Sequence, residues 1–250
     1  MNNYELAESW SSGNAVKYYL KNRGKIEDLY DSEKRFLPGA VKNAESVLDI
    51  GCATGGFSGI IGRMKKDINY TGCDISPEMV KRAKERFPAG KFYLTDGRKL
   101  DFPDDFFDLC VCFGVLHMTA GWKELLSEAW RVCRKAVLFD LRIVEGSGVS
   151  DANLSYQKIV FEEKWDGISK VPYVILNTEE CAAYLAGLRP EIKSFRSYGY
   201  MHPVSGTAVS SHNSVCMSCF YLNKRGKENV FEWGLPLAIP QKIKKAVSKR

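Results

Sequence analysis

The sequence predicts an α/β domain wound on both sides of a mostly parallel sheet, and three features predict it. The first is Val47-Leu48-Asp49-Ile50, a short apolar run of buried-strand character that breaks at once into Gly51-x-x-x-Gly55 and a new helix. The second is Ile68–Asp74, another such run, which ends in an acid 25 residues after Asp49 and is followed by Ser76-Pro77-Glu78, an N-cap, a first-turn proline and a first-turn acid. The third is the rhythm that continues: apolar runs at 91–95, 106–113 and 136–144, with an amphipathic helix at 122–134 between the last two.

The 250 residues are 45% hydrophobic and 26% charged, enough for a full core in one domain with additions. No internal repeat or low-complexity tract appears. The opening Met1-Asn2-Asn3-Tyr4-Glu5 lacks a signal-peptide profile and no apolar run reaches membrane-span length, so a soluble, cytoplasmic protein is expected. The eight cysteines are scattered, mostly inside apolar runs such as Leu109-Cys110-Val111-Cys112, and read as small buried hydrophobes in a reducing compartment. Cys216-x-x-Cys219 has no second pair to complete a zinc site, so no metal is expected. The net charge is +6, but the last ten residues carry five basic and no acidic side chains, and residues 1–46 balance. That leaves +1 over 47–240, which gives no basic surface for nucleic acid.

Taken in order, Trp10–Arg23 is aromatic-rich and irregular, and 25–36 reads as a helix stopped by Pro38-Gly39. The glycines after Ile50 let the backbone turn into a helix near Gly56 and come close to a ligand, with the helix's free N–H groups facing it. The spacing is not the dinucleotide fingerprint G-x-G-x-x-G, because Ala53 stands at the second glycine. Asp74, at the end of the second strand, suits a ribose, since a carboxylate accepts from both vicinal hydroxyls, and Ile75 and Met79 would flank the base. Asp96-Gly97 ends the third strand. After the fourth strand comes Phe113-Gly114-Val115-Leu116-His117-Met118, where His117 is the one titratable group, with an ordinary pKa of ~6.5 that suits a general base. Asp140 and Arg142, two apart on the fifth strand, share a face and need either a ligand or each other.

Asp49-x-Gly51-x-x-x-Gly55, Asp74, Asp96-Gly97 and the 100–118 run together resemble the class I S-adenosylmethionine (SAM)-dependent methyltransferases, in the branch that acts on small molecules, quinones and glycans. The resemblance implies a Rossmann-like, seven-stranded sheet closed by an antiparallel C-terminal hairpin at about 191–200 and 215–222. It also implies an N-terminal helical lid over 1–45, a methyltransferase domain over 46–225 with a cap insertion at about 146–176, and a basic tail over 226–250. SAM would be held by Asp49, Gly51, Cys52, Ala53, Gly55, Asp74, Ile75, Met79, Asp96, Gly97 and Phe113, with Tyr19 and Arg23 from the lid. A small-molecule or glycan-type acceptor would meet His117 as base and Tyr30, Asp140, Arg142, Tyr200 and His202 as binding residues. An NAD(P)-dependent oxidoreductase and a non-catalytic nucleoside-binding protein stay open as alternatives, as do monomer and homodimer. Within the tail, Ile243, Ala246 and Val247 form a short apolar stripe among lysines, a pattern for weak contact with an anionic membrane or a polyanion.

Overall fold

In the computed structural model, which describes residues 3–160, 165, 167–225 and 230–243, the chain opens with helices α1 (Asn3–Trp10), α2 (Gly13–Lys21) and α3 (Asp31–Lys42). There follow β1 (Ser46–Ile50), α4 (Gly56–Met64), β2 (Asn69–Asp74), α5 (Pro77–Arg86), β3 (Lys91–Leu94), β4 (Phe107–Cys112), α6 (Trp122–Val132) and β5 (Cys133–Val144). After β6 (Tyr156–Lys158), β7 (Lys170–Pro172), β8 (Leu176–Asn177) and α7 (Thr178–Gly187) come β9 (Ser194–Pro203), β10 (Ala208–Val209), β11 (Ser214–Asn223) and β12 (Phe231–Gly234).

The main sheet runs β3-β2-β1-β4-β5-β11-β9-β12. Strands β1 to β5 pair in parallel, and β11 lies antiparallel to both β5 and β9, the hairpin that the sequence led one to expect. Among the described residues the sheet has nine strands rather than seven. Phe231–Gly234 adds a parallel edge strand beside β9, and the two-residue β8 pairs with the end of β5. A separate three-stranded sheet, β10-β6-β7, stands over 156–172 and 208–209.

Both faces of the sheet are covered, as parallel strands require. On one face α6 contributes Leu125, Leu126, Ala129 and Trp130, and α7 contributes Cys181 and Leu185, to a core with Leu48, Cys110 and Phe139. On the other, Phe36, Leu37 and Val41 of α3 and Ile60 and Ile61 of α4 pack on Val47, Leu109 and Leu138. All eight cysteines are buried and free, and no metal-binding cluster of His, Cys, Asp and Glu occurs among the described residues. No helix among them is long and apolar enough to cross a membrane.

One local expectation changes, and two further details are local. The helix read over 25–36 is two pieces: a 3-10 turn at Ile26–Asp28, then α3, which starts where the Glu33 carboxylate accepts the Tyr30 N–H at 2.8 Å and runs through Pro38 to Lys42. Burial of Phe36, Leu37, Ala40 and Val41 along one face outweighs the roughly 3 kcal/mol a mid-helix proline costs. Helix α7 is capped by Asn177, whose Oδ1 accepts from the N–H groups of Glu179 and Glu180. The stretch read as a tail over 226–250 is joined to the body: Phe231–Gly234 pairs with β9, the Gln241 N–H donates to Glu179 at 3.0 Å and Ile243 packs on the main core. Its remaining residues, including Ala246 and Val247, lie outside the described residues.

Candidate active site

Ligands in open parallel sheets bind beyond the carboxyl ends of the strands, on either side of the point where the strand order reverses. Here that point lies between β1 and β4, and two adjoining cavities open there. They share Tyr19, Gly51, Ala53, Phe113, Gly114 and Met118 as a common wall.

The first chamber sits over β1, β2 and β3. Asp74 ends β2 with its carboxylate turned back onto the loop: Oδ2 accepts the Ala53 N–H and Oδ1 the Ser76 N–H, both at 2.9 Å. Burial pushes its pKa up, and these two backbone donors pull it back. The Ser76 hydroxyl caps α5 through the Met79 N–H at 3.2 Å, which fixes where Ile75 and Met79 enter the chamber. Ile50, Val115 and Leu125 give the wall an apolar part, Thr95, Asp96 and Thr119 a polar edge, and α1 brings Leu6 and Trp10 over the top. The N-terminal helices are tied down by backbone and hydroxyl contacts. Thr54 Oγ1 donates to the Tyr19 carbonyl at 2.9 Å, and Arg86 donates to Thr54 at 2.8 and 2.9 Å.

The second chamber sits over β1, β4 and the end of β5, and its polar wall is Asp49, His117, Arg142, Arg23 and Tyr30. Asp49 accepts a short hydrogen bond from the Tyr70 hydroxyl, and burial lifts its pKa to about 7. His117 is buried, its Nδ1 has no hydrogen-bond partner, and the nearest acid, Asp140 Oδ2, is 3.9 Å away. Asp140 holds the Gly114 N–H at 2.5 Å with Oδ1 and Arg142 Nη1 at 2.6 Å with Oδ2. Burial raises the pKa of Asp140, but Arg142 and His117 more than offset this and leave it below the ordinary carboxylate range.

A nucleoside with a charged amino-acid end fits this arrangement. At the junction, Gly114 has φ +74° and nothing within 4 Å of where a Cβ would stand, so the backbone there leaves open space. An acid waits at the rim of the apolar slot, and polar groups wait beyond the junction. The sequence and fold comparisons agree. The methyltransferase domain family matches residues 48–139. Over that stretch the chain carries a methyltransferase domain.

Among proteins similar to it, 2-methyl-6-phytyl-1,4-hydroquinone methyltransferase of Synechocystis is 45% identical over 67 residues, 26% of this chain and 21% of that protein. Malonyl-[acyl-carrier protein] O-methyltransferase of Serratia marcescens is 26% identical over 156 residues, 62% of this chain and 59% of the relative. The chain thus spans less than two thirds of the length of these relatives. Among solved structures, a SAM-dependent methyltransferase of Methanosarcina mazei superposes with a TM-score of 0.53 at 16% identity, covering 78% of this chain and 98% of that one. Magnesium protoporphyrin IX methyltransferase of Synechocystis, solved with bound SAM, has a TM-score of 0.50 at 11% identity and covers 89% and 97%. Both likenesses concern the fold.

Most residues singled out from the sequence converge. Asp74, Ile75, Met79 and Asp96 line the first chamber; Asp49, Cys52, Arg23, Tyr30, His117 and Arg142 line the second; Gly51, Ala53, Phe113 and Tyr19 line both. Gly55 and Gly97 line neither. Gly55 has φ +78° and its missing Cβ makes room for Phe87 and Ala83, while Gly97, at φ +75°, makes room for Ile50 and Leu125. They are glycine for the turn and for packing, not for a ligand. Asp140 stands behind the wall as the partner of Arg142, so the two residues have each other, and Arg142 also lines the second chamber. Tyr200 and His202 line neither chamber; His202 is exposed, with its Nδ1 2.6 Å from the Pro203 carbonyl oxygen. They stand on β9, two strands beyond β5, where Tyr200 is in register through Met217 with Arg142 and feels the charges of Arg142 and Glu33 without lining the chamber. Asp96 is turned to Arg98, with Nη2 at 2.9 Å.

Two properties correct expectations. Arg23 is held by Glu33 at 2.5 and 3.0 Å and stacks over Tyr30 and Phe57, so its charge is matched within the N-terminal segment and α3. The pKa of His117 is pushed down to about 3, by burial first and then by the charge of Arg142, so it is a neutral and weakly basic imidazole rather than a base near neutrality. Wall residues that the sequence did not single out are chiefly apolar or backbone: Trp10, Val115, Met118 and Gly114. Trp10 stands in the aromatic-rich leading segment, the one signal that pointed to it.

The raised pKa of Asp49 has a sign that titration checks. A carboxyl whose folded pKa exceeds its unfolded one contributes most below the unfolded value, ~4, and loses that contribution as pH rises to about 7. Asp49→Asn keeps an acceptor for Tyr70 without the charge. Its melting temperature relative to wild type is therefore expected to rise between pH 5 and pH 8, and a constant difference across that range contradicts the assignment.

Proposed function

We propose that the protein transfers the methyl group of SAM to a small-molecule acceptor, with the nucleoside in the first chamber and the acceptor in the second. The observation that carries this reading is the shared wall at Gly51, Ala53, Phe113 and Gly114, which joins an apolar slot with a ribose-binding acid to a polar chamber under the same lid. When bound, SAM supplies an electrophilic methyl group on a sulfonium, so this chain's task is chiefly to position and to exclude water.

In this reading Asp74 accepts from the ribose hydroxyls, Ile75, Met79 and Leu125 sandwich the base, and Asp96 lies at its edge. Asp49, Gly51, Cys52, Ala53 and Tyr19 face the amino-acid end, and Trp10 closes over the slot. His117, Arg142 and Tyr30 face the acceptor, with Asp140 as a positioning residue for Arg142. The relatives named above act on a hydroquinone and on an acyl-carrier-bound acid. Small acceptors with an apolar body suit the aromatic second chamber better than a glycan does.

The test uses purified protein, SAM labelled with 13C in the methyl group, and a small-molecule extract. The expected result is label in a new product with one S-adenosylhomocysteine formed per methyl transferred. SAM that binds but never delivers label to any acceptor contradicts the proposal and favours the non-catalytic alternative.

A further inference from the structure

The second chamber has two arginines on its wall, and they are in different states. Arg23 is spent: Glu33, itself buried, takes Nη1 and Nη2, and the Asp28 carbonyl takes Nη1 again at 2.8 Å. Arg142 is only 7% exposed, and its acid partner Asp140 engages Nη1 alone. Asp140 has no second oxygen to offer, because Oδ1 holds the Gly114 N–H. Tyr173 adds a neutral hydrogen-bonding neighbour. A guanidinium carries five N–H donors in a planar fork shaped for a carboxylate, and the donors that Asp140, the Leu141 carbonyl and Tyr173 leave over belong to a side chain that lines the second chamber.

Position decides which ligand. Arg142 stands on β5, beyond β4 from the strands β1 and β2 that frame the first chamber, so it faces the acceptor's side of the junction. We propose that the acceptor is a carboxylic acid, bound as its carboxylate against the free side of the Arg142 fork. This rests on the reading of the second chamber as the acceptor site.

The remaining wall agrees. A hydroxyl or amine acceptor must lose a proton, and the imidazole at hand has an unpartnered Nδ1 and is held neutral in a buried site beside a cation. A carboxylate arrives ionised and asks for no base. Tyr18, Tyr19, Phe57, Phe113 and Met118 give the chamber an aromatic and apolar lining for a hydrocarbon chain or ring attached to it.

The test reads binding. Full-length protein saturated with S-adenosylhomocysteine is titrated calorimetrically with octanoate and 3-phenylpropanoate, and in parallel with octanamide and 3-phenylpropanamide, which match them in shape without the charge. The acids are expected to bind at least about tenfold more tightly than the amides, and Arg142→Gln is expected to abolish that preference. Because Arg142→Gln leaves Asp140 buried and unpaired, Asp140→Asn/Arg142→Gln is run beside it, and unchanged S-adenosylhomocysteine affinity in the double variant shows an intact frame. Amides that bind as well as acids, or acids that fail to bind on the order of 1 mM, overturn the proposal. So does an acid preference that survives in the double variant. A loss of S-adenosylhomocysteine affinity in Arg142→Gln with the acid preference retained overturns it too, and makes Arg142 a ligand of the cofactor's own carboxylate. If wild type does not bind S-adenosylhomocysteine at all, the cofactor reading itself falls.

Discussion

Asp74→Ala is expected to weaken SAM binding by about tenfold to over a hundredfold, the equivalent of losing charge-assisted hydrogen bonds of about 1.5–3 kcal/mol. Two effects add. The ribose loses its acceptor, and the Ala53 and Ser76 N–H groups, each held at 2.9 Å by this carboxylate, lose theirs. The second effect matters because Ala53 sits at φ +45°, a backbone state that the tie to Asp74 helps hold. Asp74→Asn, which keeps one carbonyl acceptor, should lose less. Calorimetric titration of both variants, with melting temperatures as a check on folding, decides it. An unchanged dissociation constant for Asp74→Ala would remove the residue from the site.

Gly51→Ala is expected to lower stability by about 2–5 kcal/mol. The left-handed backbone at φ +80° costs a side chain roughly 1–2 kcal/mol, and overpacking adds about 1–3 kcal/mol, because a Cβ there would stand 2.2 Å from Val115 Cγ2. For a chain of this size that is a fall in melting temperature of about 5–15 °C. The cause is separable. In a Val115→Ala background the clash is gone and the backbone part alone remains, so the penalty for Gly51→Ala should shrink to about 1–2 kcal/mol. The same penalty in both backgrounds would mean that Val115 does not set the requirement for glycine.

This second case shows where sequence reading reached its limit. The glycine loop was legible as a turn and as a ligand cradle, but the sequence assigned the missing side chains at Gly51 and Gly55 to the cofactor. The structure gives that space to Val115 and Phe87, residues 64 and 32 positions along the chain, whose approach no local pattern encodes. The strands were legible because buried parallel strands are short apolar runs, and Asp74 and Ser76-Pro77 marked a strand end and a helix start by their own chemistry. The edge strand Phe231–Gly234 was not: it is short, follows residues rich in charge, and gains its pairing only from β9. His117 was legible in place but not in character. A sequence reports a reference pKa, whereas the value near 3 comes from burial and from Arg142, which is 25 residues away in the chain. Asp108 teaches the converse. It is an acid inside a fully buried strand, yet the Glu45 N–H, Arg134 and Lys135 satisfy it at the end of the sheet remote from both chambers. A buried polar group with every partner present is a clamp; one with an unmatched nitrogen at the mouth of the sheet, as in His117, marks a site.

The central claim is that the first chamber holds the nucleoside of SAM and not a dinucleotide. Calorimetric titration of the wild-type protein with S-adenosylhomocysteine, and in parallel with NADH and NADPH, tests it most directly. One saturable site for S-adenosylhomocysteine with no heat from either dinucleotide is the predicted result. Saturable binding of NADH or NADPH with none of S-adenosylhomocysteine would contradict it.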